Sequence, residues 1–233
     1  MALRLQFDSQ QKQKLATLVK EASTIDSKLI EKAFGGTPYI KGAGFEALIL
    51  GIKYLVKISN NSAEVFYEDP LGKMEDATKL IAYMINTLER VIAGKVASCK
   101  ANLIKMGQLK GGESARLYEK RITTFIATEL DNSNASGVEK AVKNMGGRLV
   151  NHPTATWSFE VSPLNGVRII VAYWQGEEGI PSGASIFLGE EVKEVDISIE
   201  ELMIIVEIAM NRFVQFYRKE TGRKPKLYNS LYL

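Results

Sequence analysis

Arg168-Ile-Ile-Val-Ala-Tyr-Trp-Gln-Gly-Glu-Glu-Gly-Ile-Pro-Ser-Gly183 is the stretch from which the chain is best read. The six residues after Arg168 are apolar or aromatic and rich in β-branched side chains, the composition of a strand covered on both faces. Tyr173 and Trp174 end that strand. Gly176, Glu177, Glu178 and Pro181 then form an acidic, glycine-rich loop, and Ala184 to Leu188 returns as a short apolar strand. Upstream, Thr154 to Val161 reads as a further strand, joined through Ser162-Pro-Leu-Asn-Gly166, so the unit is an antiparallel meander. Alternation of side chains places Trp157 and Phe159 on one face, and Tyr173 and Trp174 on opposite faces.

Outward from the meander, helices and strands come in blocks. Ser198-Ile-Glu-Glu201 is a capping box opening a long last helix to about Arg218, which buries Leu202, Ile205, Val206, Ala209 and Phe213. Ser136-Gly-Val-Glu139 has the same form and predicts a short helix stopping at Gly146-Gly147. Ser114 is the expected cap of a helix to about Glu129, and Asp131 to Ser136 a polar loop. Residues 95–112 give no consistent period. In the first half, Leu15, Leu18, Ala22, Ile25, Leu29 and Ala33 predict one amphipathic helix over 9–34, with Ser9 as cap and Gly35-Gly36 as stop. After a loop with Pro38, Gly42 and Gly44, residues 45–67 predict two or three antiparallel strands turning at Ser59-Asn-Asn-Ser62. A helix over 74–93 follows. Blocks of this kind predict α+β: mostly antiparallel sheet packed against amphipathic helices, with a long C-terminal helix. The expectation is a single α+β domain over 1–233. The helix 9–34 and the basic tail 219–233 are peripheral to it, and any boundary lies near 95–112.

Composition narrows the function. The formal net charge of +3 is too small to require a polyanionic partner. Cys99 is the one cysteine and His152 the one histidine, which removes disulfides, cysteine-built clusters, zinc catalysis and the usual histidine-activated nucleophiles. No metal site is expected, although a carboxylate-only Mg²⁺ or Ca²⁺ site stays open. The N-terminus has no apolar run of signal-peptide length, and nothing approaches the ~20 apolar residues of a membrane helix. A soluble cytoplasmic protein is the expectation.

Several features together carry a resemblance: Gly146-Gly147, the strand-hairpin-strand, Tyr173-Trp174-Gln-Gly176-Glu177-Glu178-Gly-Ile-Pro181, the strand at Ile186 to Leu188, and the helix from Ser198. The chain resembles the bacterial and archaeal family catalogued as domain of unknown function 3786. The likeness is strongest over about 140–215 and looser over 45–135. Family members look like proteins of anaerobes, some with a cysteine-rich iron–sulfur segment that Cys99 alone does not supply. The resemblance supplies no established activity and no catalytic residues to carry over, and it leaves any cofactor unknown.

Tyr173, Trp174, Gly176, Glu177, Glu178 and Pro181, with His152 and Trp157, are the candidate ligand-binding residues. Glycines permit close backbone approach, and aromatic faces suit a flat molecule. Each has a plainer reading: a solvated turn for the acids, sheet core for the rings, a loop histidine for His152. Lys110-Gly-Gly-Glu-Ser114 reads as a plain loop rather than an anion-binding one, and Cys99 as a small buried or half-buried residue. Arg218-Lys-Glu-Thr-Gly-Arg223-Lys224-Pro-Lys226-Leu-Tyr228, ending at Tyr232-Leu233, is a solvated basic tail with RNA contact as the sharper alternative. The expected function is a non-enzymatic accessory protein binding a small molecule or cofactor near the Trp174–Pro181 loop. The alternative is a protein-interaction or assembly module acting through the N-terminal helix and basic tail, then a carboxylate enzyme built on Glu177 and Glu178, with nucleic-acid binding last.

Overall fold

A computed structural model describes residues 2–26, 28–34, 39–40 and 44–227. The expected stop at Gly35-Gly36, the loop residues Pro38 and Gly42, and the terminal Tyr228, Tyr232 and Leu233 lie outside them. The fold is α+β, with two antiparallel sheets and a long C-terminal helix. The chain forms two compact units, one of 1–98 with 163–166 and 194–196, the other of 99–162, 167–193 and 197–233.

The first unit contains β1 (Leu3–Arg4), α1 (Ser9–Ile25), α2 (Lys28–Ala33), β2 (Tyr39–Ile40), β3 (Gly44–Ile49), β4 (Ile52–Ser59), β5 (Ser62–Glu68) and α3 (Met74–Ile92). Its sheet runs β1-β5-β4-β3-β2. Ile52, Tyr54 and Val56 are buried while Lys53 and Lys57 are exposed, the half-buried alternation that the sequence predicts. Asn60 and Asn61 both take positive φ, the hairpin geometry whose twist matches the flanking strands. The expected helix over 9–34 is two helices. Asp26 ends α1 in an extended conformation, and its carboxylate accepts from Lys28 N–H at 2.9 Å, opening α2. Asp8, not Ser9, caps α1, accepting from the backbone of Gln10 and Gln11.

The second unit contains β6 (Leu103–Ile104), a 3₁₀ turn at Met106–Gln108, α4 (Ala115–Glu129), α5 (Ala135–Asn144), β7 (Arg148–Leu149), β8 (Trp157–Leu164), β9 (Val167–Trp174), β10 (Gly183–Gly189) and α6 (Ile199–Thr221). Its sheet order is β6-β10-β9-β8-β7. Ile169, Val171 and Tyr173 are buried on one face of β9, and Ile170 and Ala172 on the other, as a strand covered on both sides requires. Ser198 caps α6 through Glu201 N–H, and all five residues expected in its buried face are buried. The cap of α5 is Asn134, bonded to Gly137 N–H at 2.6 Å, so Ser136 sits inside the first turn rather than opening it. Ser114 is the residue before α4, as expected, but its side chain makes no capping bond; its hydroxyl donates to Gly111 O instead.

One seam of α6 carries Glu207, Asn211 and Arg218, which share a helical face by their spacing of four and seven. Glu207 meets Tyr118 and Arg218 meets Glu129, both on α4. Between them Asn211 is buried, and its Nδ2 has no hydrogen-bond partner among the described residues. An unpaired buried amide costs about 1–3 kcal/mol. Asn211→Leu is therefore expected to raise the urea midpoint, corresponding to a gain of about 1 kcal/mol. A lower midpoint would show that the amide is engaged after all.

Candidate functional site

The β8–β9 pairing sorts the candidate aromatics by face. Trp157 stacks on Tyr173 with centroids 4.5 Å apart, and both face α6, where Phe213 meets Trp157 at 5.9 Å and Phe159 at 4.4 Å. Trp157 Nε1 donates to Ser133 Oγ. Trp157 and Tyr173 are thus core. Trp174 projects to the other face and meets the edge of His152 at 5.4 Å, with Phe187 of β10 at 6.4 Å from the same imidazole. Trp174, His152 and Phe187 are all half-buried. His152 Nδ1 accepts from Thr154 N–H, which fixes its loop over this face.

The acidic loop is a tight reversal. Glu177 and Ile180 exchange backbone hydrogen bonds of 3.0 and 2.9 Å. A Cβ on Gly176 would lie 2.5 Å from Ile180 O and 2.6 Å from Ser182 N, so only glycine fits. Glu177, Glu178 and Pro181 are exposed. The two carboxylates have no ion-pair or hydrogen-bonded side-chain partner among the described residues.

Below the loop lies a polar network that the sequence reading passed over. Tyr173 Oη is 2.9 Å from Gln175 Oε1 and 3.0 Å from Ser182 Oγ. Ser182 donates to Asp131 Oδ1 at 2.8 Å, and Lys226 reaches Asp131 Oδ2 at 2.9 Å. Burial pushes the Tyr173 phenol above its ordinary value. Hydrogen bonds from Lys226, then Ser182, hold the Asp131 carboxyl down at about 2. A carboxyl lowered on folding contributes stability that is present above its unfolded value and lost as pH falls through the folded one. Stability curves of the wild type and Asp131→Asn should therefore differ above about pH 4 and converge as acid unfolding approaches pH 2. Because Asp131 keeps 38% of its side-chain surface in solvent, a gap of no more than about 1 kcal/mol is expected.

The tail takes part in this end of the unit. Arg223 donates to Asp131 O, Lys226 Nζ to the same carbonyl, and Arg218 pairs with Glu129. These three cations of the basic segment are spoken for within the chain. At the other end of β9, Arg168 binds Glu191 at 2.6 Å and approaches Glu160. Burial is the largest influence on the Glu191 carboxyl and would raise it, but the Arg168 hydrogen bond and charge together with the backbone N–H groups of Glu191 and Lys100 outweigh it, and the value is lowered. Cys99 is exposed, contrary to the expectation of a buried or half-buried thiol, because it precedes β6 in irregular chain.

On the β10 edge, β6 pairs only with Leu188 and Gly189, and the chain then turns away through Met106–Gln108. The divergence opens a groove of about 400 Å³ whose lining includes Lys105, Gln108, Arg116, Lys120, Thr123 and Ser185. Lys105 joins it to the ring cluster, pairing with Glu119 at 3.1 Å and placing Nζ 4.1 Å from the Phe187 centroid. The glycines of 110–114 build the turn beside it: a Cβ on Gly112 would lie 2.1 Å from Met106 O. The three cations come from segments that only the fold brings together. The one local signal was Arg116 and Lys120, like charges one turn apart on α4.

Residues 30–212 match the family described as domain of unknown function (DUF3786). The chain belongs to that family. The DUF3786 match takes in β2 to β10, the ring cluster and the groove, and it extends further toward the N-terminus than the 45–215 span of the sequence likeness. It leaves out β1, α1, the end of α6 and the 223–227 segment. No curated protein and no solved structure matches the chain. Among the described residues no three His, Cys, Asp or Glu side chains are grouped to hold a metal ion, and no helix is long and apolar enough to cross a membrane.

Proposed function

We propose that this DUF3786 protein is a non-catalytic accessory protein that binds a small molecule at the base of the Trp174–Pro181 loop. The ligand sits in the groove beside β10 and against the Phe187, His152 and Trp174 rings. The observation that carries the reading is Lys105, one side chain that lines the groove and covers Phe187. A concave site of a few hundred Å³ with a few convergent polar groups beside aromatic surface is the usual form of a small-molecule site. Glu177 and Glu178 are exposed, and among the described residues neither has a hydrogen-bonded or ion-paired side-chain partner, which favours binding over carboxylate catalysis. The assembly-module alternative loses the Arg223 and Lys226 contacts it would have used, since both bind Asp131.

The test is native mass spectrometry of protein purified from its own host, followed by a thermal-shift panel of cofactors and metabolites. Amide spectra then locate any hit. A saturable ligand that raises Tm and moves the Gly107, Ser185 and Phe187 amides is expected. Protein that carries nothing and responds to no member of the panel overturns the reading.

A further inference from the structure

We infer that the groove takes a multiply charged oxyanion, a phosphoryl or polycarboxylate group, held by Arg116 and Lys120. This names the ligand class of the proposed site and rests on that reading. Arg116 and Lys120 are both exposed and lie one turn apart on α4, and neither has an acidic partner among the described residues. Like charges at this spacing repel by a few tenths of a kcal/mol. The acid between them does not relieve that, because Glu119 pairs with Lys105.

The remaining lining is biased toward donors. Gln108 Oε1 is already occupied by Lys105 N–H at 2.6 Å, which leaves its NH₂ to donate. Two lining groups are acceptors: Thr123, whose hydroxyl proton goes to carbonyls of its own helix, and Glu119, whose carboxylate is paired with Lys105. The edge of β10 adds a backbone donor. Glu190 N–H donates to Asn102 O, in register with Leu188 opposite Ile104, so even-numbered residues of β10 turn their backbone groups toward that edge. Among the described residues no strand stands opposite Ala184 there. Ala184 N–H therefore lies on the groove side with the guanidinium, the ammonium and the Gln108 amide. A wall rich in donors with two uncompensated cations selects an acceptor-rich, negatively charged ligand. The arginine fork suits two oxygens of one group, and the lysine adds a point charge.

The test titrates the full chain at fixed ionic strength with potassium pyrophosphate and with potassium citrate, following amide shifts at Gly107, Arg116, Lys120 and Ser185. Saturable binding of at least one anion is expected. It should weaken at least about tenfold in Arg116→Gln/Lys120→Gln, with Tm unchanged because both side chains are exposed. Tighter pyrophosphate binding identifies a phosphoryl ligand and tighter citrate binding a polycarboxylate; either supports the inference. Equal affinity in wild type and variant overturns it, as does the absence of any shift at these residues. An oligonucleotide that binds far more tightly than either anion, with a steep salt dependence, also overturns it and points to nucleic acid. A neutral hit from the cofactor panel whose affinity the double variant leaves unchanged removes the oxyanion while leaving the small-molecule reading intact.

Discussion

Trp157→Ala is expected to destabilise the second unit by about 3–5 kcal/mol, read as a large fall in urea midpoint. The indole is 6% exposed and its face lies 4.5 Å from the Tyr173 ring. Truncation would remove that stack, the edge contact with Phe213 and the support of Phe159 at 6.2 Å. The cavity would open under α6, whose Phe213 is fully buried and has no freedom to follow. Ser133 would also lose the indole N–H. Trp174→Ala makes the comparison. It lies half-buried on the opposite face, with a 3.3 Å bond to Thr154 Oγ1, and its loss should cost about 1 kcal/mol or less. If instead the two substitutions destabilised the protein equally, the assignment of Trp157 to core and Trp174 to a ligand-accessible face would be wrong. Ligand affinity should show the reverse order, falling for Trp174→Ala through lost ring contact.

That contrast shows what could be read from the chain before its structure. Alternation is a local rule with a period of two, so the opposite faces of Tyr173 and Trp174 follow from their adjacency alone. The α+β class and the buried face of α6 follow from equally local signals: blocks of period, and the capping box at Ser198. What local pattern could not decide was which of two good caps the chain would use. Asp8 displaced Ser9, and Asn134 displaced Ser136, in each case a residue earlier in the chain that reaches the first free N–H groups. Nor could periodicity alone find the break at Asp26, where a side chain outcompetes the helix for the backbone. The site was less legible than the fold. Tyr173, Trp174 and His152 were picked as candidates because aromatic residues and a lone histidine stand out in any sequence, and of these Tyr173 is core. Lys105, Gln108, Arg116 and Lys120 are ordinary surface residues from two separate segments. Only the departure of β6 from β10 makes them converge, and no short-range pattern encodes that departure.

The 223–227 segment, expected as a solvated tail, carries the other large effect. Glu129 ends α4 with 1% of its surface exposed, and four donors converge on its carboxylate. Arg218 Nη2 lies 2.8 Å away with Nε at 3.3 Å, while the backbone N–H groups of Leu227 and Lys226 lie at 2.6 and 3.4 Å. One buried acid thus neutralises the cation near the end of α6 and holds the 226–227 backbone that follows it. Removing one partner of a buried pair is far more damaging than the pair is favourable, because the other charge stays behind without compensation. Glu129→Ala strands the Arg218 guanidinium, whose side chain is 23% exposed, together with two backbone donors. A loss of about 3 kcal/mol is expected, or roughly 6–12 °C in Tm for a chain of this size. Arg218→Ala should cost less, since the partly exposed guanidinium is the easier group to hydrate and the carboxylate would keep two amide donors. Hydrogen exchange separates this from a general loss of stability. In Glu129→Ala, protection at Lys226 and Leu227 should vanish first. The loop over 175–182 should loosen with it, because Lys226 and Arg223 would no longer hold Asp131 against Ser182 and Gln175. Unchanged protection in that loop would mean that the segment fastens only to α4 and α6, and leaves the loop beside the proposed site free of its influence.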